Sequence, residues 1–398
     1  MSRLKKQDAN HAPKPVASNI EAQYDHELDH RPMALAPLGV AQPYMPNTRD
    51  IVPYLSSMEQ NHWYSNFGPL TTEFEKRLSS RFETLTHVTT VANATIGLSL
   101  VLQALNLTPN SYVALPAWTF AATAHAVLQA GFKPYFVDVD INTHMLDVAL
   151  CRQLVADRAL NIQAIIPVCA FGCPLDLNEW HRFQIDTGIK VIIDAAAAHD
   201  IATFAPVPIV VSLHATKALG AGEGGYVATQ DAELCTRIRA LSNFGFHGSR
   251  TPQWLGLNGK MSEYSAAIAL ASLDNWTVTR LKYQTVAQKI RLGLYHTPQI
   301  QFQPSWGSQW ISSVCVIHTP SGRAPELADK LKSKGIETRL WWSTGCHMAP
   351  PFAQYAQIPL PNTDELARSS LGIPYFAHMT DPQIERMTQA LVDAVSSL

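Results

Sequence analysis

Residues 209–225, IVVSLHATKALGAGEGG, set one lysine between an apolar run and four glycines. The run has the composition of a buried strand, and Gly220, Gly222, Gly224 and Gly225 let the backbone fold back closely before a second strand-like segment, YVAT at 226–229. Lys217 sits at the turn. An amine held out of water there is disfavoured as a cation, so its pKa falls and it becomes a nucleophile able to form a Schiff base with a carbonyl. A solvated loop lysine is the other reading of the same stretch.

Upstream, strands and helices alternate. HVTTV (87–91), YVAL (112–115), KPYFVDVD (133–140), QAIIPVCAF (163–171) and KVIID (190–194) read as strands with helical patterns between them. The pattern through residues 87–230 predicts an α/β fold, a largely parallel sheet with helices on both faces. In such sheets ligands gather at the carboxyl ends of the strands, and Thr95, Phe120, Asp194, Ser212 and Lys217 each fall at or just after such an end. Ala92–Thr95 is a strand-to-helix junction whose free amides, with the Thr95 hydroxyl, suit a phosphate at the positive end of a helix; an ordinary N-cap is the alternative. Asp194 ends VIID and precedes four alanines. A buried carboxylate needs a partner, either a protonated ring nitrogen of a cofactor or the start of a helix that it caps.

Thr71–Phe82 shows helical spacing with a Thr-Thr-Glu opening suited to a cap. Asn258–Lys260 is a polar turn before a small-residue helix, and the helix from Trp276, with Arg280, Lys282 and Lys289, serves as a connector. The remainder reads as strand, helix, strand (IETRLWW, 336–342) and a final amphipathic helix, a smaller α+β unit. Residues 1–32 lack apolar periodicity and read as a flexible arm. The domain division is therefore 33–275 and 276–398.

The 398-residue chain is 46% hydrophobic, enough for a large core. Thirty basic against 32 acidic residues give no field that would draw nucleic acid or an anionic membrane. Of six cysteines only Cys169 and Cys173 lie close together, and no second pair completes a zinc site, so free thiols in a reducing cytosol and no metal are expected. Neither an export signal nor a membrane span is read, so the expected location is cytoplasmic.

A lysine for an imine, a carboxylate for a ring nitrogen, an aromatic to stack and a phosphate-binding helix start are the demands of pyridoxal 5′-phosphate. In their order, TTEFEKRL, ANATIGLSLVL, LPAWTFAATAHAVLQAG, PYFVDVD, VIIDAAAAHD, SLHATKALGAGEGG and GLNGKMSEYSAAIAL resemble the DegT/DnrJ/EryC1/StrS family of sugar aminotransferases from about residue 35 onward. The resemblance implies the PLP-dependent transferase fold of type I, the aspartate-aminotransferase kind. It implies that Lys217 binds the cofactor and shuttles the proton, that Asp194 meets the pyridine nitrogen, and that Phe120 stacks on the ring. Ala94, Thr95 and Ser212 match phosphate contacts, and Asn258 matches an asparagine given across a homodimer interface to the neighbour's phosphate. His347 in WWSTGCH, and His214 beside Ser212, are the substrate-side candidates. Two departures stand out: Asn93-Ala94-Thr95 where the family often has Ser-Gly-Thr, and Ala197 where it usually has Gln or His.

The expected reaction transfers an amino group from glutamate to a keto carbon of a nucleotide-linked deoxysugar, a dTDP-4-keto-6-deoxyhexose. A cofactor-dependent sugar dehydratase is a second reading, against which the retained lysine counts. A non-catalytic regulatory homologue is a third, suggested by Ala197 and the N-terminal arm.

Overall fold

Two helices, α1 (Thr48–Asn61) and α2 (Pro69–Ser79), precede the first strand of the computed structural model, which describes residues 36–157, 160–319 and 322–397. The arm expected at 1–32 lies outside the described residues. The described residues from Pro37 onward form one compact unit, to which every named element belongs.

After β1 (His87–Val91) the chain alternates as read from the sequence. It runs through α3 (Ala94–Ala104), β2 (Tyr112–Pro116), α4 (Ala121–Gln129), β3 (Lys133–Val137), α5 (Val148–Ala156), β4 (Ile162–Ile165) and α6 (Leu177–Thr187). Then follow β5 (Lys190–Val191), β6 (Ile193–Asp194), β7 (Ile209–Ser212), β8 (Gly225–Thr229) and α7 (Ala232–Leu241). One ladder is β3-β2-β4-β5, all parallel; the other is β1-β8-β7-β6, in which β8 runs antiparallel to both neighbours. β5 and β6 are one run interrupted at Ile192, whose amide still reaches the Ile165 carbonyl at 3.0 Å, while the Asp194 amide reaches Pro167 at 2.9 Å. The two ladders are therefore one sheet with β5–β6 at its centre.

Burial on both faces explains the composition. All four residues of β7 and all five of β8 are buried, and α3, apolar almost all round, is buried along most of its length. Each fully buried Leu, Val or Phe contributes about 1.5–3 kcal/mol, so Phe74, Leu78, Leu100, Phe136 and Phe183, all at 0% exposure, are major contributors.

The chain continues through α8 (Glu263–Asp274), α9 (Trp276–Gly293), β9 (Gln301–Phe302), β10 (Cys315–His318), α10 (Ala324–Ser333), α11 (Pro361–Ser369), β11 (Ser370–Ile373) and α12 (Asp381–Ser396). The expected break near residue 275 falls between α8 and α9. IETRLWW does not form a ladder strand: Arg339 makes a single bridge to Gly372, and the antiparallel sheet is β11-β10-β9 instead. The Trp341 indole lies over Gly372. This region is tied to the main sheet through two buried carboxylates. Asp138, beyond β3, accepts the amides of Asn362 (2.9 Å) and Thr363 (2.8 Å) at the start of α11, and Asp200 pairs with Arg280 at 2.6 Å.

The Thr-Thr-Glu cap expected for α2 is not used, because the helix begins earlier, after Gly68. Its first amides are met from outside: Glu263 accepts Leu70 N (2.8 Å), Thr71 N (2.9 Å) and the Thr71 hydroxyl. A Cβ at position 68 would lie 2.7 Å from the Glu263 carboxyl carbon, which is why glycine stands there. Glu263 is 1% exposed, so Glu263→Ala strips these buried amides of their acceptor. The expected loss is about 3 kcal/mol in urea unfolding; an unchanged midpoint would contradict this account of the joint.

Candidate active site

Strands β2, β4, β6 and β7 run parallel, so their carboxyl ends lie along one edge. Thr119–Phe120, Asp194 and Ser212 arrive at that edge because each follows or ends one of those strands. Lys217 reaches it on the loop that joins the antiparallel pair β7–β8. That loop is curled by its own backbone: Leu213 N to Gly224 O (2.9 Å), Ala221 N to Leu213 O (2.7 Å), Ala215 N to Gly222 O (2.8 Å) and Lys217 N to His214 O (2.8 Å).

Asp194 is 5% exposed. Its Oδ2 accepts the Thr123 hydroxyl at 2.8 Å and its Oδ1 the Ala196 amide at 3.1 Å. Burial pushes its pKa up, while the Thr123 bond, the Ala196 amide and the Lys217 charge hold it down. Lys217 is half-buried, and its amine answers in kind: burial lowers its pKa and the Asp194 carboxylate opposes that fall. The helix-cap reading of Asp194 is not realised, since only a single turn at His199–Ile201 follows it.

The start of α3 combines both readings of the Asn93 segment. Asn93 is the N-cap, its side chain accepting Ile96 N at 2.9 Å, and the amides of Ala94 and Thr95 open the first turn without intrahelical partners. Ser212, Gly225 and Val91 lie on one rung across β7, β8 and β1. A Cβ at Gly225 would meet the Ala94 nitrogen at 2.9 Å, so the glycine is what lets the start of α3 close against the sheet. Ser212, Ala94 and Thr95 thus lie at one corner of the edge. The Ser212 hydroxyl accepts the His214 amide at 3.2 Å, a bond that does not use its own proton.

Phe120 is the N-cap of α4 and is 63% exposed, a large bare aromatic at the same edge. His214 is held within the loop, its Nδ1 against the Thr216 hydroxyl (2.9 Å) and its Nε2 3.5 Å from the Glu223 carboxylate. His347 is 5% exposed with an unpartnered Nδ1, and burial lowers its pKa against the pull of Asp364 and Asp138. The neighbouring Cys346 amide bonds Ala117 at 2.8 Å, which brings this turn to the end of β2. Asn258 is exposed; its Oδ1 accepts Lys260 Nζ at 2.7 Å, and Gly259 O accepts the Ala92 amide at 2.7 Å. The 258–260 turn therefore rests beside the approach to α3 rather than on the Lys217 loop.

Sequence reasoning overlooked Thr123 and Thr119. Thr123 lies in the first turn of α4, just past the carboxyl end of β2; that position was the available signal. Among the described residues no His, Cys, Asp and Glu cluster could hold a metal, and no helix is long and apolar enough to cross a membrane. All six cysteines are buried and free.

The set fits pyridoxal 5′-phosphate. The deciding feature is Asp194: a buried carboxylate, directed by two hydrogen bonds and opposed by one half-buried amine, suits a planar ring that brings its own cationic nitrogen. The model of the DegT/DnrJ/EryC1/StrS aminotransferase family matches residues 47–392. The dTDP-4-amino-4,6-dideoxy-D-glucose transaminase of Escherichia coli is 29% identical over 373 residues, 89% of this chain and 97% of that protein. The crystal structure of DesI in the presence of its TDP-sugar product gives a TM-score of 0.81 at 31% identity, covering 92% of this chain and 95% of the other. A Bacillus cereus aminotransferase homologue of the PLP-dependent kind gives a TM-score of 0.84 at 28% identity, covering 89% and 99%.

The paired shifts at the site give a signed test in cofactor-free protein. Burial favours neutral Lys217 and Asp194 favours the cation, so Asp194→Asn lowers the amine's pKa further. Acetylation followed by mass spectrometry across pH is expected to label Lys217 at lower pH than exposed lysines, and at lower pH still in the variant. Labelling in step with the exposed lysines would contradict the assignment.

Proposed function

The chain belongs to the DegT/DnrJ/EryC1/StrS aminotransferase family, and from that premise we propose that it moves the amino group of glutamate to the keto carbon of a nucleotide-linked deoxysugar. The overall exchange leaves 2-oxoglutarate and an amino sugar. The sugar proposed is a dTDP-4-keto-6-deoxyhexose, a choice supported by the Escherichia coli relative's name and by the TDP-sugar product seen with DesI. The observation that carries the reading is the Lys217–Asp194 pair at the same sheet edge as the free amides of α3.

When bound, pyridoxal 5′-phosphate supplies an aldehyde that takes up an amino group and a ring that withdraws electrons from the carbon beside it. The residues divide the remaining work. Lys217, poorly solvated and therefore easily made neutral, moves the proton at that carbon. Asp194 keeps the ring nitrogen protonated by offering it an ionised partner out of water. The first amides of α3, with Thr95 and Ser212, hold the phosphate dianion at the positive end of the helix. Phe120 covers one face of the ring and excludes water from it. His214 and His347 are assigned to the sugar side. Asn258, exposed with its amide oxygen taken by Lys260, has N–H donors left for a neighbouring subunit's phosphate, so the working form proposed is a homodimer. Residues 33–275 are proposed as the cofactor-binding domain and 276–398 as a smaller C-terminal domain, with the cytoplasm as the proposed location.

A product assay with glutamate and a panel of keto nucleotide sugars tests this. Amino sugar and 2-oxoglutarate are expected in equal amounts. Lys217→Ala and Asp194→Asn are expected to reduce turnover by about 10³-fold or more, the second while still binding the cofactor. A dehydrated sugar formed without glutamate consumption, or full activity in either variant, would overturn the reading.

A further inference from the structure

Asp194 is not held by its own strand alone. Thr123, in the first turn of α4, gives its hydroxyl to Oδ2 at 2.8 Å, and Thr119 Oγ1 lies 2.9 Å from Thr123 Oγ1. Both threonines are buried, at 0% and 1% exposure. A hydroxyl has one proton and an ionised carboxylate only accepts, so Thr123's proton is committed to Asp194. The contact between the two hydroxyls is then made by the Thr119 proton. Every proton in the chain Thr119, Thr123, Asp194 points toward the carboxylate. A proton on Asp194 Oδ2 would turn the Thr123 proton, and with it the whole chain, the other way.

We propose that Thr123, backed by Thr119, is a positioning residue that keeps the Asp194 carboxylate ionised and in one rotamer, ready for a protonated ring nitrogen. A hydrogen bond to the charged form opposes the burial that would neutralise it. The other titratable groups facing Asp194 are the Lys217 amine and the Cys169 thiol; burial first, and then the Asp194 charge, hold the thiol in its protonated form. The same turn also sets the aromatic, because the Thr123 amide bonds the Phe120 carbonyl at 3.2 Å. One helical turn therefore fixes both the ring's cover and its counter-charge. The inference rests on Asp194 as the ring-nitrogen partner proposed above, but the hydrogen-bond relay itself needs no cofactor.

Isotope-edited infrared spectroscopy of the cofactor-free protein across pH tests it, with Asp194→Asn identifying the carboxyl band. Thr123→Val keeps the side-chain shape and removes the hydroxyl. The protonated-carboxyl stretch is then expected to appear at a pH about one unit higher than in the unsubstituted protein. Thr123→Ser restores the original midpoint. Thr119→Val, one bond further from the carboxylate, shifts it the same way by less, and serves if Thr123→Val does not fold. In cofactor-loaded protein the pH midpoint of the visible absorbance moves in Thr123→Val and returns in Thr123→Ser. An unmoved midpoint in both valine variants, or a serine variant as disturbed as valine, would overturn the relay. Absence of any cofactor absorbance in the unsubstituted protein would instead overturn the proposed function and leave the infrared result standing.

Discussion

A carboxylate at the end of an apolar strand, out of reach of water, costs on the order of several kcal/mol unless charge or hydrogen bonds answer it. Asp194 is answered on three sides, by a threonine hydroxyl, a backbone amide and an amine whose own burial is unfavourable. Neither Asp194 nor Lys217 is comfortable alone, and each moderates the other's cost. In the proposed function, this arrangement is the electrostatic preparation for a cationic ring, in place before any ring arrives.

The sheet makes that arrangement possible by geometry. Joining β5 and β6 as one central run puts Asp194 between β4 and β7, so the ends of β2, β6 and β7 converge. The switch from parallel to antiparallel at β8 supplies a loop, and the loop supplies Lys217. Beside it, a glycine at position 225 lets α3 approach closely enough to aim its first amides at the same corner. Elsewhere, buried carboxylates serve as joints: Glu263 under α2 and Asp138 under α11 each meet helix amides that would otherwise be bare.

Much of this is legible in the sequence. Strands buried in a sheet read as short apolar or β-branched runs, so β1 to β4, β7 and β8 announce themselves, and residues at the carboxyl ends of the parallel ones follow by position. Lys217, Asp194, Ser212 and the Ala94–Thr95 helix start were accessible in this way. Contacts between distant segments were not. Glu263 caps a helix 192 residues earlier, so the local Thr-Thr-Glu pattern pointed to the wrong cap. Thr123 looks like an ordinary helix residue until Asp194, 71 residues on, is folded against it. β11 is only four residues long and follows directly on α11, while the more strand-like IETRLWW makes only isolated bridges, Ile336 to Leu38 and Arg339 to Gly372. Propensity speaks for the segment alone, and at these places the partner decides.

The proposed function requires the cofactor to be joined covalently to this chain at the amine of Lys217. Reduction of the pyridoxal phosphate-loaded protein with borohydride, followed by peptide mapping, measures that directly. A single reduced adduct is expected, on the peptide containing Lys217. An adduct on another lysine, or none, would contradict it.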